Sequence, residues 1–479
     1  MRGLLALAAL SLLLISCAMG PNYSRPDIAT SDSFRMAGEE KDLPSLANAP
    51  WWELYHDEEL QKLIRIALEE NKDLKRAVAT VDEFAARGLI AKTDFAPQMN
   101  TTVNAPAFGN TKNVAFPGFP NAFNYYVQGN LAWEIDVWGR IRRSNEAALG
   151  DLLAREENRR ALIVQIVGGV AQAYFDLRQF DMQLEIAQRT LQAWEESVRI
   201  GQARLRQGVI NRLDVDQFEA ERENAAARIA ELTRQMVQKE NELSILLGRN
   251  PSRVSRGRSL TEQMMPPVVP AGLPSELLQR RPDVVQAEQG LTAATARIGM
   301  AKADRFPKLS ITGILGVASP HLSRLVANET EFGVVGPSLV GPLLNAQILG
   351  FQQEAVEAQA RQAVAQYEQT ILVAFREVED ALVGVSTARE QADAQERQVN
   401  ALRSALHLAN LRYKGGLANY LDVLIAQRSL FDAELSLAAT RRLHLVSIVQ
   451  LYKALGGGWS PDEAGRERPG SSVTPGGRG

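Results

Sequence analysis

Arg204-Leu205-Arg206-Gln207-Gly208-Val209-Ile210-Asn211-Arg212-Leu213-Asp214-Val215 is echoed further along the chain as Arg412-Tyr413-Lys414-Gly415-Gly416-Leu417-Ala418-Asn419-Tyr420-Leu421-Asp422-Val423. The offset is 208, the distance from Asp214 to Asp422, and six positions are identical without a gap. At the same offset Leu247-Gly248 matches Leu455-Gly456. Upstream, Ala91-Lys92-Thr93-Asp94 aligns with Ala301-Lys302-Ala303-Asp304 at an offset of 210, and Asn71-Lys72-Asp73-Leu74 falls against Arg281-Pro282-Asp283-Val284. Self-similarity at a fixed spacing marks a duplicated architecture.

Proline supplies the next division, because it stops helices. None occurs between Pro120 and Pro251 or between Pro342 and Pro461. Both stretches are rich in Ala, Leu, Glu, Gln and Arg, which form helices readily. Each is broken once, by Gly208 with Asn211 and by Gly415 and Gly416 with Asn419. The pattern predicts two helical hairpins, at 140–247 (arms to about 207 and from about 213) and at 345–455 (arms to about 414 and from about 421). The first arms are on the order of 100 Å long at ~1.5 Å per residue, and such helices need lateral partners.

Ahead of each hairpin the texture changes to Gly, Pro, Asn, Thr and β-branched or aromatic residues, over 99–137 and 308–341. Val127, Gly129, Leu131, Trp133, Ile135 and Val137 alternate with Gln128, Asn130, Ala132, Glu134 and Asp136. Leu309, Ile311, Gly313, Leu315 and Val317 repeat the alternation. Period two marks a strand with one apolar and one polar face. Each segment fits two strands joined by a loop, near 109–121 and 319–330, and Gly129 and Gly313 leave room for close neighbours. Each half therefore reads as short helices, two strands, a long helix, a turn and a shorter helix. The predicted division is a first repeat at 57–250, a linker at 251–273, a second repeat at 274–456 and a disordered tail at 457–479 rich in Gly, Pro, Ser and Arg.

Fifty-three basic and 56 acidic residues in 479 give a net charge of −3, without the basic excess of a general nucleic-acid binder. The single cysteine excludes an intrachain disulfide framework and a multi-Cys zinc site. After the N-terminus no stretch approaches the ~20 apolar residues of a membrane helix, which leaves a β-barrel open. Two strands per half make four per chain. Membrane barrels start at about eight strands, and an open sheet edge cannot sit in lipid. The chain must therefore assemble. A dimer gives eight strands with a filled interior, and a trimer gives twelve with room for a lumen.

Arg2 followed by the apolar run Gly3 to Ile15 has the form of a secretory signal peptide over 1–16. Leu14-Ile15-Ser16-Cys17 resembles a bacterial lipobox, in which Cys17 becomes the acylated first residue of an extended segment over 17–56. A free cysteine in a plain signal peptide is the other reading. Several acyl chains on one residue hold a protein to a bilayer where one does not. Ala18 after the cysteine, in place of Asp, points within the resembled class to the outer membrane.

As a whole the sequence resembles the TolC-like outer-membrane efflux factors, nearest the OprM/NodT lipoproteins, over about 17–456. The resemblance rests on the lipobox, Trp51-Trp52, Trp133-Glu134-Ile135-Asp136-Val137-Trp138-Gly139-Arg140, Arg280-Arg281-Pro282-Asp283-Val284, the Gly336 to Leu344 stretch and Tyr413 to Leu430. It implies a mainly α protein with a small membrane β part: a homotrimer with a 12-stranded β-barrel continued by a periplasmic α-helical barrel. It implies a Gram-negative outer-membrane location, a periplasmic membrane-fusion adaptor docked on the hairpin tips and an inner-membrane proton-driven pump. The chain would then be a passive exit duct, and the energy source lies elsewhere because the sequence has no nucleotide-binding motif. A structural coiled-coil lipoprotein is the alternative; it explains helices and anchor but not the alternating strands.

The tips, with Gly208, Asn211, Gly415, Gly416 and Asn419 at their turns, would form the periplasmic mouth. There Asp214 and Asp422 would stand in rings, with Arg204, Arg212, Arg412, Tyr413 and Lys414 as partners in a gate. The plainer reading makes Asp214 and Asp422 the N-caps of the returning helices. The family often carries an acidic residue where this chain has Ile425, so the constriction at that level is expected to be apolar. Trp133 and Trp138 suit an interfacial aromatic belt or ordinary junction packing. Tyr125, Tyr126, Phe116, Phe119 and Phe123 suit the outer girdle or loop. His56, His321, His407 and His444 have no metal-ligand spacing, and no nucleophile elbow or phosphate loop appears. The expectation is no metal, no enzyme activity and no cofactor beyond lipid on Cys17.

Overall fold

The computed structural model describes residues 18–28, 34–35, 52, 55–105, 125–264, 274–319, 321–327, 330–342 and 344–457. The signal peptide and Cys17, Trp51, the 109–121 loop with Phe116 and Phe119, Phe123, linker residues 265–273 and tail residues 458–479 lie outside the described residues.

Two short helices, α1 (Glu58–Glu70) and α2 (Lys72–Thr93), lead into strands β1 (Gln98–Asn104) and β2 (Tyr125–Ile135). A long helix, α3 (Arg140–Arg206), and a shorter one, α4 (Arg212–Leu246), complete the first half. The second half repeats the order with α5 (Pro274–Arg280), α6 (Pro282–Ala303), β3 (Lys308–Ser319), β4 (Glu331–Val340), α7 (Ala346–Lys414) and α8 (Tyr420–Ala454). The long arms have 67 and 69 residues and the returning arms 35 each, close to the bounds read from proline, glycine and asparagine. No described helix is long and apolar enough to cross a membrane.

The chain divides into two compact units. One combines residues up to Ile28, Ala79–Glu156 and Gln286–Gln369. It holds one antiparallel sheet in the order β1-β2-β3-β4. Register places Met99, Val103, Val127, Leu131, Ile311, Leu315, Val335 and Leu339 on a single face, since directly paired residues point the same way. Asp136 and Val137 are the exceptions to the predicted alternation, since β2 ends at Ile135. Beyond that end the Val137 N–H turns back to the Ile135 carbonyl at 2.8 Å. Gly129 and Gly313 make room on the apolar face: a Cβ there would meet Met99 Cε at 2.6 Å and Val335 Cγ2 at 2.8 Å. The opposite face carries a polar chain, in which Gln128 donates to Asn130 at 2.9 Å and Asn130 donates to Thr102 at 3.0 Å.

The other unit combines Ala29–Val78, Glu157–Val285 and Thr370–Gly479. Its core packs Leu60, Leu63 and Ile64 of α1 against Val167, Val170 and Tyr174 of α3 and Val449 and Tyr452 of α8. Each such side chain removed from water contributes about 1.5–3 kcal/mol. Buried Asp57 organises the centre of this unit. Its carboxylate accepts from the backbone N–H groups of Glu59 and Leu60 at the start of α1, from Tyr174 Oη at 2.7 Å, from Gln263 Nε2 at 2.7 Å and from the Arg258 N–H at 3.2 Å. Residues 251–264, predicted as part of a linker, are thus folded against the core, with Val254 and Leu260 buried. Two further carboxylates bind helices together. Glu434 on α8 accepts from Arg403 of α7 at 2.7 and 3.1 Å and from Arg189 of α3, and Asp176 on α3 pairs with Lys239 of α4 at 3.2 Å and with Arg442 of α8.

Candidate functional site

Chain direction reverses at two tips, and their backbones are copies of each other. At the end of α3, Gly208 takes φ +71°, its N–H bonds the Leu205 carbonyl at 2.9 Å, and Val209 N–H bonds the Arg204 carbonyl at 3.0 Å. At the end of α7, Gly416 takes φ +71°, bonding Tyr413 at 3.0 Å, while Leu417 N–H bonds Arg412 at 2.8 Å. A left-handed residue followed by a bond reaching five residues back is the Schellman ending, and only glycine enters that conformation without a Cβ penalty. The glycine that decides the second turn is Gly416; Gly415 lies ahead of it with an ordinary φ.

The caps are asparagines, which corrects the reading of Asp214 and Asp422 as N-caps. Asn211 precedes α4 in an extended conformation and its Oδ1 accepts from Asp214 N–H at 3.0 Å. Asp214 Oδ2 accepts in return from Asn211 N–H at 3.3 Å, which completes a capping box. At the second tip Asn419 accepts from Leu421 N–H at 3.5 Å, and Asp422 offers only its backbone N–H, to the Asn419 carbonyl at 3.2 Å. Asp214 and Asp422 thus stand in the first turn of each returning helix, where negative charge suits the dipole.

Side chains join the tips through aromatic rings more than through charge. Arg204 donates to Tyr413 Oη, with its guanidinium 5.1 Å from that ring's centroid. The Tyr413 ring meets Tyr420 edge-on at 4.9 Å, and Tyr420 meets Phe218 edge-on at 4.4 Å. Tyr420 Oη donates to Ser197 Oγ at 3.1 Å. Beneath them Trp194, Val198, Phe218 and Leu424 form a small core, and burial pushes the Tyr420 phenol above its ordinary pKa. Arg212 pairs along its own helix with Asp216 at 2.8 Å, an exposed pair worth little. No salt bridge among the described residues joins Asp214 or Asp422 to Arg204, Arg212, Arg412 or Lys414. Within one chain the expected ionic latch is therefore reduced to Arg204 and Tyr413. Leu421 and Ile425 are exposed one turn apart on α8, an apolar pair at the level where an acidic ring was in question.

The strand-to-helix junction is built by the Trp133 to Arg140 stretch. Asp136 accepts from the N–H groups of Ile141 and Arg142 at 2.9 and 2.8 Å, filling free donors at the start of α3. Arg140 clasps Glu134 through two bonds of 2.8 Å. Trp138 donates to the Pro307 carbonyl at 2.8 Å and stacks on Phe306 at 4.9 Å; Trp133 donates to the Phe95 carbonyl at 3.0 Å. Both tryptophans are thus bonded within the junction. Asp57, Tyr420 and Glu434 were not singled out in the sequence; Asp57 carries the local signal of an N-cap ahead of Glu58 and Glu59, whereas the bonds that tie Tyr420 to Ser197 and Glu434 to Arg189 come from distant segments. Among the described residues no group of three or more His, Cys, Asp or Glu side chains could hold a metal ion.

Comparison with known proteins supplies a second line of observation. The family model for outer membrane efflux proteins matches residues 63–249 and again 273–457, once in each half. The toluene efflux pump outer membrane protein TtgC of Pseudomonas putida is 33% identical, with 99% of each chain covered. The cation efflux system protein CusC of Escherichia coli K12 is 32% identical, over 94% of this chain and 98% of CusC. The open-state crystal structure of the Neisseria gonorrhoeae MtrE outer membrane channel superposes with a TM-score of 0.82 at 31% identity, covering 92% of this chain and 98% of MtrE.

Proposed function

We propose, for a chain that belongs to the outer membrane efflux protein family, that three copies close one barrel and work as a passive exit duct gated at the hairpin tips. Outer-membrane efflux is the function of the family. The trimer, the gate, the lipid and the partners are our reading. One observation carries the assembly: the four-stranded sheet has β1 and β4 at its edges, and among the described residues no further strand pairs with either. Such edges cannot face lipid, so β4 of one protomer pairs with β1 of the next. Three sheets of four strands make a 12-stranded barrel wide enough for a lumen, where two would make eight strands whose side chains fill the interior. The apolar face traced above then meets the bilayer, and the Gln128–Asn130–Thr102 face meets water.

The test is electrophoresis of the outer-membrane protein without heating, together with planar-bilayer conductance. A heat-dissociable trimer that conducts is expected. A monomer without conductance at any protein concentration would count against the barrel.

The remaining parts follow from this assembly. Cys17 carries the acyl anchor, which acyl labelling of wild type against Cys17→Ser reads directly. The tips receive a periplasmic adaptor, and an inner-membrane proton-driven pump supplies the energy, since a duct has no reaction of its own to drive. No enzymatic step belongs to the chain. The purely structural coiled-coil reading loses its ground, because the predicted strands pair into a sheet with one mainly apolar face, interrupted at Thr101 and Glu331.

A further inference from the structure

The segment after Cys17 does not lie loosely on the body. Met19 N–H bonds the Trp138 carbonyl at 2.9 Å. Buried Arg143, on the first turn of α3, reaches the Met19 carbonyl at 3.2 Å and Asn22 Oδ1 at 2.8 Å. Further along, Glu288 on α6, also buried, accepts from Tyr23 Oη at 2.9 Å and from both sides of the Arg25 guanidinium at 2.7 and 2.6 Å.

Glycines clear the track at the first of these latches. Gly299 sits inside helix α6, where glycine costs about 1 kcal/mol relative to alanine. A Cβ on Gly299 would lie 2.6 Å from the Met19 carbonyl oxygen and 2.8 Å from Arg143 Cγ. Gly20, at φ +87°, faces it so closely that a Cβ there would lie 2.4 Å from Gly299 Cα. Gly139, at φ +77°, leaves the same kind of room for Ala18, whose Cα would be 2.8 Å from a Cβ. Gly299 and Gly139 on the body, with Gly20 on the segment itself, therefore let the two meet at backbone distance.

We infer that residues Ala18–Arg25 are a registering strap, latched by Glu288 and Arg143, which holds the start of the mature chain beside Trp138 at the entry to α3. Glu288 is its positioning residue. The consequence rests on the acylated Cys17 proposed above only for what the strap carries: the anchor is held at the strand-to-helix junction and cannot wander on a tether. The lipid and the sheet then share one depth in the bilayer.

Chymotrypsin tests this on the full chain in detergent, because cleavage after Tyr23 requires the strap to lift. The product is read by mass spectrometry as a new N-terminus at Ser24. Local opening controls such cleavage, and two charge-assisted bonds with a third from Tyr23 hold the site closed. Wild type is expected to be cut slowly and Glu288→Ala at least about tenfold faster. Glu288→Gln, which keeps an acceptor, is expected to recover part of the protection. Arg25→Ala removes the clasp from the strap side without touching the helices and is expected to act like Glu288→Ala. Wild-type cleavage rates in both alanine variants overturn the inference. So does acceleration at helical sites equal to that at Tyr23, which would reflect general loosening. Protected Tyr23 in a chain without acyl label removes the lipid reading and leaves the strap standing; acylated protein with freely cut Tyr23 does the reverse.

Discussion

At the first tip Asn211 and Asp214 close a reciprocal capping box, whereas at the second Asn419 makes one long bond and Asp422 none through its side chain. The turns themselves are the same, down to a glycine at φ +71° in each. What differs is support. The first tip packs its own Phe218 against α3, where Gly201 leaves the space: a Cβ there would lie 2.7 Å from the ring. The second tip leans on the first through Tyr413 and Tyr420, while Leu408 and Leu411 on its outgoing arm are exposed. Duplication copied the backbone instruction and later divergence unequally distributed the side-chain ties. For the gate proposed above, this difference assigns the first tip the part of the post and the second that of the leaf hung on it.

The comparison breaks most readily at Phe218. Phe218→Ala removes the ring shared by both tips and is expected to cost about 3 kcal/mol of local stability. Amide hydrogen exchange should accelerate at both tips. Exchange confined to the first tip would show that the leaf does not hang on the post. A smaller and one-sided effect is expected from Arg204→Ala, which takes away the cation over Tyr413 and its hydrogen bond, together worth about 1–2 kcal/mol. Exchange should rise at 408–424 and stay unchanged at 208–216, with longer open dwell times in planar bilayers. The caps give the next contrast. Asn211→Ala should cost about 1 kcal/mol and Asn419→Ala no more than a few tenths. Equal losses in thermal or exchange measurements would remove the asymmetry of the caps.

How much of this was written in the sequence depends on range. Helix bounds were legible because proline-free runs ending in Gly208 and Gly416 are local signals, and the sheet was legible because alternation reports its own face. The caps were misread for a specific reason. Asn211 and Asp214 are both good capping residues, and which one is the cap depends on where the backbone turns extended, at Asn211. Asp57 shows the limit more fully. Its partners Tyr174, Arg258 and Gln263 are 117, 201 and 206 residues away, so no spacing rule reaches them. The same holds for Glu434, whose two arginines come from two other helices. Gly299 carried a signal, a glycine within a helix, but its meaning needed the strap that crosses it.

The smallest expected effect concerns pH, and it again separates the two hairpins. The first hairpin contains no histidine, while the second contains His407 and His444. His444 is half-buried on α8, and burial first, then Arg389, hold its pKa below the ordinary value of 6.5, with Asp393 opposing. A depressed histidine favours the neutral form when folded. Below pH 6.5 the unfolded segment takes up the proton more readily than the folded one. The contribution is therefore fully present above pH 6.5 and is lost as pH falls through the folded pKa. Hydrogen exchange at 430–450 should rise between pH 7 and pH 5 relative to the matching stretch of α4, after correction for the intrinsic rate. His444→Gln should abolish that difference, because the amide has no charge to bury. A difference that survives the substitution would show that His444 does not carry the acid response.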